Sequence, residues 1–223
     1  MNNNKSPVLV LDLDGTLVDS KPDLVAALNV GIGSAGLSPM AIETIGESVG
    51  QGARAMIAKA LEHQNRELSN DTLEEVFELF MKYYRTNIAV NSKPYPGIQT
   101  ALDRFSENGW SLAICTNKPE DMAKALLSSL NLDEQFAAIC GSDTFANRKP
   151  HRDHILNTIA MANGNVIGSV MVGDTATDID AAKNSGIPSI AVDYGYSFVP
   201  ARTLGADRTI SHFDQLWQAV SEI

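Results

Sequence analysis

Two aspartates one residue apart, Asp12 and Asp14, head the segment Asp12-Leu13-Asp14-Gly15-Thr16, directly after the apolar run Val8-Leu9-Val10-Leu11. In an extended chain alternate residues point to the same side, so these two carboxylates meet at the end of a strand. A second acidic pair, Asp174 and Asp178, follows the run Val170-Met171-Val172. Four residues apart, they share one face of any helix that starts there. Either pair alone fits a simpler account, because Asp and Gly are common in turns and Asp favours a helix N-terminus. Two such pairs at the same kind of strand end strain that account. Four carboxylates gathered at one place repel each other unless a hard cation neutralises them, and oxygen ligands with room for water and phosphate favour Mg2+.

Two further segments could hold an anion. Thr116-Asn117 ends a second apolar run, Leu112–Cys115, and a helix opens at Pro119. The Thr116 hydroxyl, the Asn117 N–H and the positive helix end could bind phosphate, although a Thr-Asn pair in isolation reads as a helix cap. Lys149, in Arg148-Lys149-Pro150, could supply a point charge; alone it reads as a solvated lysine.

The elements that must position these groups alternate. Strand-like runs at 8–11, 112–115, 137–140, 170–172 and 189–192, with a shorter edge strand at 206–210, are separated by helical patterns. The helices open at Pro96-Gly97, at Pro119, over 153–162 and over 179–185, the last capped by Gly186. Short continuous apolar runs suit buried parallel strands, and their alternation with helices predicts a doubly wound parallel α/β sheet. The stretch from Lys21 to about Asn91 departs from this rhythm. It carries helical stripes at 24–32, 39–45, 53–61 and 72–84 and no convincing strand. The expectation is an α/β core formed by residues 1–18 and 93–223 and an inserted helical cap formed by residues 19–92.

In these four segments the sequence resembles the haloacid dehalogenase superfamily. D-L-D-G-T at 12–16, T-N at 116–117, K-P at 149–150 and G-D-T-A-T-D at 173–178 fall in the order of its motifs. The resemblance implies that Asp12 is the nucleophile and Asp14 the general acid/base, with its main-chain carbonyl on the metal. It implies that Thr116 and Lys149 hold phosphate, that Asp174 ligates Mg2+, and that Asp178 anchors the metal or its waters. Because the dehalogenating members lack the second aspartate, Asp14 points to phosphate chemistry.

Asp19-Ser20-Lys21-Pro22-Asp23-Leu24, Val49-Gly50-Gln51-Gly52, Thr116-Asn117-Lys118-Pro119, Arg148-Lys149-Pro150-His151 and Asp193-Tyr194-Gly195-Tyr196 look in addition like the bacterial phosphoglycolate phosphatases. In the cap, Gly50, Gln51 and Gly52 precede a helix whose free N–H groups could meet a substrate carboxylate, with Arg54 one turn in. The simpler readings are a helix–helix turn and a solvated arginine. His151, Arg152 and His154 read as an exposed polar helix start. Rival substrates are a sugar phosphate, a nucleotide or pyrophosphate; a non-catalytic binding module is the rival of another class.

A formal charge of −10 argues against nucleic acid and anionic membrane surfaces as partners. The 44% hydrophobic content is that of a globular chain. Both cysteines, Cys115 and Cys140, lie in apolar runs and read as buried thiols. With no apolar leader and no stretch long enough to span a bilayer, a cytoplasmic protein is expected. It would act as a monomer or a homodimer.

Overall fold

The computed structural model describes residues 5–46 and 48–223. The chain runs β1 (Pro7–Leu11), β2 (Val18–Asp19), α1 (Lys21–Ser34), α2 (Ile42–Ile45), α3 (Ser48–Gln51), α4 (Ala53–His63), α5 (Asn70–Thr86) and β3 (Lys93–Pro94). It continues through α6 (Ile98–Glu107), β4 (Ser111–Cys115), α7 (Glu120–Ser129), β5 (Ala138–Cys140), α8 (Arg152–Met161), β6 (Asn165–Gly173), α9 (Ala176–Ser185), β7 (Ser189–Val192), β8 (Arg208–Ile210) and α10 (Leu216–Ser221).

Six strands form a parallel sheet in the order β5-β4-β1-β6-β7-β8. Alternation along each strand sorts its side chains between two apolar layers. Leu9, Leu11, Leu112, Ile114, Val170 and Val172 pack on one face. Val8, Val10, Ala113, Cys115 and Met171 pack on the other. Burial on both faces explains why the stretches 8–11, 112–115 and 170–172 carry no strongly polar residue. The order reverses at β1, which lies between β4 and β6, and the crevice at such a switch point is where open α/β sheets bind ligands.

Helices α1 to α5 form the inserted cap, whose buried stripes are continuous with the larger apolar layer of the core. The chain enters and leaves the cap through a two-stranded antiparallel ribbon in which Val18 pairs with Pro94 and Asp19 with Lys93. A clamp beside the ribbon reinforces the join. The buried Asp23 carboxylate accepts the N–H groups of Asn91 (2.9 Å) and Ser92 (2.8 Å) and the Ser92 hydroxyl (2.7 Å). Burial opposes the charge of Asp23, but these hydrogen bonds prevail and hold its carboxyl below the usual range.

Three details differ from the sequence expectation. The helix expected over 39–45 is one turn, Ile42–Ile45. Asn29 exchanges hydrogen bonds with both the N–H and the C=O of Met40, which removes those groups from any helix. The edge strand is confined to Arg208–Ile210, since Asp207 turns its carboxylate to the Ser189 N–H. His154 is wholly buried rather than exposed. It lies on the inner face of α8, where its Nδ1 accepts the Lys149 N–H at 3.0 Å.

Candidate active site

Asp12 follows β1 and is fixed by its N–H, which donates to the Val172 carbonyl at 2.9 Å. Gly15 then turns the chain with φ of +85°. A Cβ there would stand 2.5 Å from Asp174 Oδ2, so glycine is required both by conformation and by space. Asp174 and Asp178 sit at the end of β6 and the start of α9. The Thr16 hydroxyl (3.1 Å) and the Tyr196 N–H (2.7 Å) donate to the two Asp174 oxygens. Asp178 Oδ2 accepts the N–H and hydroxyl of Thr175 in a capping box. Lys149 reaches between the two sites, with its Nζ 2.9 Å from Asp12 Oδ1 and 2.6 Å from Asp178 Oδ1.

Oxygens of Asp12, Asp174 and Asp178 lie within 4.8 Å of one another, and all three residues are buried. Burial pushes the Asp12 carboxyl up to about 6, against the opposing pull of Lys149. Burial, together with the charges of Asp178 and Asp12, holds Asp174 well above the usual carboxylate range. Burial would lower the Lys149 ammonium, but Asp12 and Asp178 outweigh it and keep it charged. Although Lys149 is close, Asp12 Oδ1 has no hydrogen bond of acceptable geometry. An all-oxygen cluster with surplus negative charge and an unsatisfied carboxylate oxygen fits a hard divalent cation.

The Asp14 carboxylate is not in this cluster. Lys118 Nζ donates to both of its oxygens at 3.0 Å, and the Ser20 hydroxyl donates to Oδ1. The same ammonium donates to the Tyr84 hydroxyl of α5 at 2.7 Å. Asp12, Asp14, Thr116, Asn117, Lys149 and Asp178 line a single cavity. Its roof is the cap, where Gly50 and Gly52 join Leu24, Met56 and Phe80. Gln51 does not line it, and neither does Arg54. Arg54 faces outward, pairs with Glu74 at 2.8 Å and stacks on Phe77.

Sequence reasoning passed over Lys118, Tyr84 and Ser20 as site residues. Lys118 stands next to the T-N segment, a position that could have drawn attention. Tyr84 lies in an aromatic stripe that reads as cap core, which it also is.

The family model for haloacid dehalogenase-like hydrolases matches residues 9–192, and the chain belongs to that family. Among curated relatives, the phosphoglycolate phosphatase of Agrobacterium fabrum is 46% identical over 217 residues, covering 97% of this chain and 93% of the relative. That of Mesorhizobium japonicum is 44% identical over 216 residues, covering 97% and 95%. The crystal structure of a predicted phosphoglycolate phosphatase from Haemophilus somnus superposes with a TM-score of 0.89 at 25% identity, covering 98% of this chain and 99% of that one. Among the described residues no helix is long and apolar enough to cross a membrane.

Proposed function

We propose that this hydrolase is a Mg2+-dependent phosphatase that converts 2-phosphoglycolate to glycolate and phosphate through an aspartyl-phosphate on Asp12. The observation that carries the chemistry is the convergence of Asp12, Asp14, Thr116 and Lys149 on one cavity. The substrate reading is supported by the names of the relatives at 46% and 44% identity.

Asp12, Asp174 and Asp178, with Asp14, would hold the Mg2+. When bound, the cation screens the repulsion between the substrate phosphate and the carboxylates. The Thr116 hydroxyl and Lys149 orient the phosphoryl group against Asp12, a weak nucleophile that needs this placement. An Asp12 oxygen forms a bond to phosphorus as the ester P–O bond breaks, and Asp14 gives its proton to the departing oxygen. Asp14 then takes a proton from water as that water attacks phosphorus, and the Asp12–phosphorus bond breaks. Closure of the cap keeps bulk water from the reacting groups.

The test is phosphate release from 2-phosphoglycolate, sugar phosphates, nucleotides and pyrophosphate, with Mg2+ and with a chelator. Metal-dependent preference for 2-phosphoglycolate is expected. Preference for another ester would discard the substrate and keep the chemistry. No release by folded protein with Mg2+ would favour a binding module.

A further inference from the structure

Lys149 and Lys118 are the two cations that line the cavity among the described residues. Lys149 is committed to Asp12 and Asp178, where the phosphoryl group is to sit. Lys118 stands on the other side. Its side chain is 4% exposed, and its ammonium is gripped by both Asp14 oxygens and by the Tyr84 hydroxyl, 4.6 Å from the centre of the Tyr84 ring. Four groups from four places therefore meet here: the loop after β1, the hinge at Ser20, the loop after β4 and cap helix α5.

We infer that Lys118 receives the anionic tail of the substrate and so selects phosphate esters whose alcohol carries a carboxylate next to the ester oxygen. This rests on the reading of Asp14 as the group that protonates the leaving oxygen. A cation bound to Asp14 is then beside the leaving group, and a carboxylate one carbon away falls within its reach. Apart from the Gly50–Gly52 segment, the cap side of the cavity offers such a carboxylate no polar side chain but Tyr84 among the described residues. Leu24, Met56, Phe80 and Met122 are apolar, and a carboxylate desolvated among them without a partner would bind poorly. Arg54 points away from the cavity. Tyr84 adds a condition to the choice, because it is carried by the cap: the ammonium is fully held only when α5 lies over the core.

The discriminating comparison is 2-phosphoglycolate against ethyl phosphate, which has the same length and no carboxylate. In Lys118→Met the ratio of kcat/KM for the two should fall about 100-fold, the scale expected when one partner of a buried charge pair is removed. Tyr84→Phe, which keeps the charge and loses one anchor, should lower the same ratio by about tenfold at most. In an Asp12→Asn background with Mg2+, calorimetry should show that Lys118→Met weakens binding of 2-phosphoglycolate and leaves that of inorganic phosphate less affected. Thermal unfolding checks that each variant folds. If Lys118→Met does not fold, Lys118→Gln, which also removes the charge, takes its place, and an unchanged ratio there would overturn the assignment. A wild-type enzyme with no preference for 2-phosphoglycolate would sink the substrate reading itself. An intact wild-type preference that survives in Lys118→Met would overturn only Lys118 and leave the Gly50–Gly52 loop as the recognition element. Equal losses on both esters would place Lys118 in the service of Asp14 alone and also overturn the inference.

Discussion

The floor and the roof of the cavity are built on opposite plans. On the floor, buried charges are held by hydrogen bonds and ion pairs from strand ends and tight turns: Asp174 by Thr16 and Tyr196, Asp178 by Thr175, Lys149 by two carboxylates. The roof is mostly apolar and comes from α1, α3, α4 and α5. Its side chains pack the cap as well as face the cavity, and Leu24, Met56 and Phe80 belong to the main apolar layer. Fixed charges in a dry site act on the reacting atoms with little reorganisation. Apolar contacts act on the whole bound molecule and discriminate by fit. Damage to the floor should therefore appear in kcat, and damage to the roof in KM.

The sharpest separation comes from Asp12→Asn, which should lower kcat by about 10⁴-fold or more while the fold persists, as measured by steady-state kinetics and circular dichroism. A variant with near-normal rate would remove the nucleophile from the floor. Metal binding sharpens the contrast through pH. Because the Asp12 carboxyl is raised from 3.8 to about 6, the folded apo protein binds protons that the unfolded chain has lost. The stability from this group is complete below the unfolded value and disappears as the pH rises through about 6. A divalent cation should restore it, so Mg2+ should raise Tm more at about pH 8 than at about pH 5. Equal shifts at the two pH values would detach the buried cluster from metal binding.

Roof changes should be milder for catalysis. Leu24→Ala should raise KM for the substrate several-fold with a smaller change in kcat, and should cost about 2–3 kcal/mol of stability in denaturant unfolding. A loss confined to kcat would erase the division between the two surfaces. Arg54→Ala should have the smallest effect, changing KM less than about twofold, because its ion pair with Glu74 is solvent-exposed. A large rise in KM would return Arg54 to the roof in another position of the cap.

The same division decides what the sequence discloses. Asp12, Thr116 and Asp174 are legible because each sits just beyond an apolar strand, and parallel strands bring their ends to one edge; Asp178 follows one helical turn after Asp174, and Lys149 is legible only through the Lys149-Pro150 motif. The helical nature of the cap is legible from its stripes. Its contribution to the cavity is not, since an apolar residue that lines a pocket has the same periodicity as one that fills a core. Gly50 and Gly52 reach the cavity, whereas Arg54, placed there by spacing alone, takes Glu74 as its partner. His154 looks like a surface residue locally, and nothing local marks Lys118 as buried. Each is turned inward by a partner distant in sequence or by the face of its helix, Lys118 by Asp14 and His154 by its seat beneath the Lys149 N–H. The ribbon of β2 and β3 escaped for a related reason: two-residue strands have no period to detect.

That ribbon bears on how such a molecule could change over evolutionary time. Val18 and Pro94 are paired neighbours, so the chain departs from the core and returns to it at nearly the same point. The sheet need not know what is threaded between them. A duplicated gene could lengthen, shorten or replace the helices at this one junction, inheriting the floor unaltered and acquiring a new appetite through the roof. The sheet edge and the helices above it can thus diverge at different rates within a single reading frame.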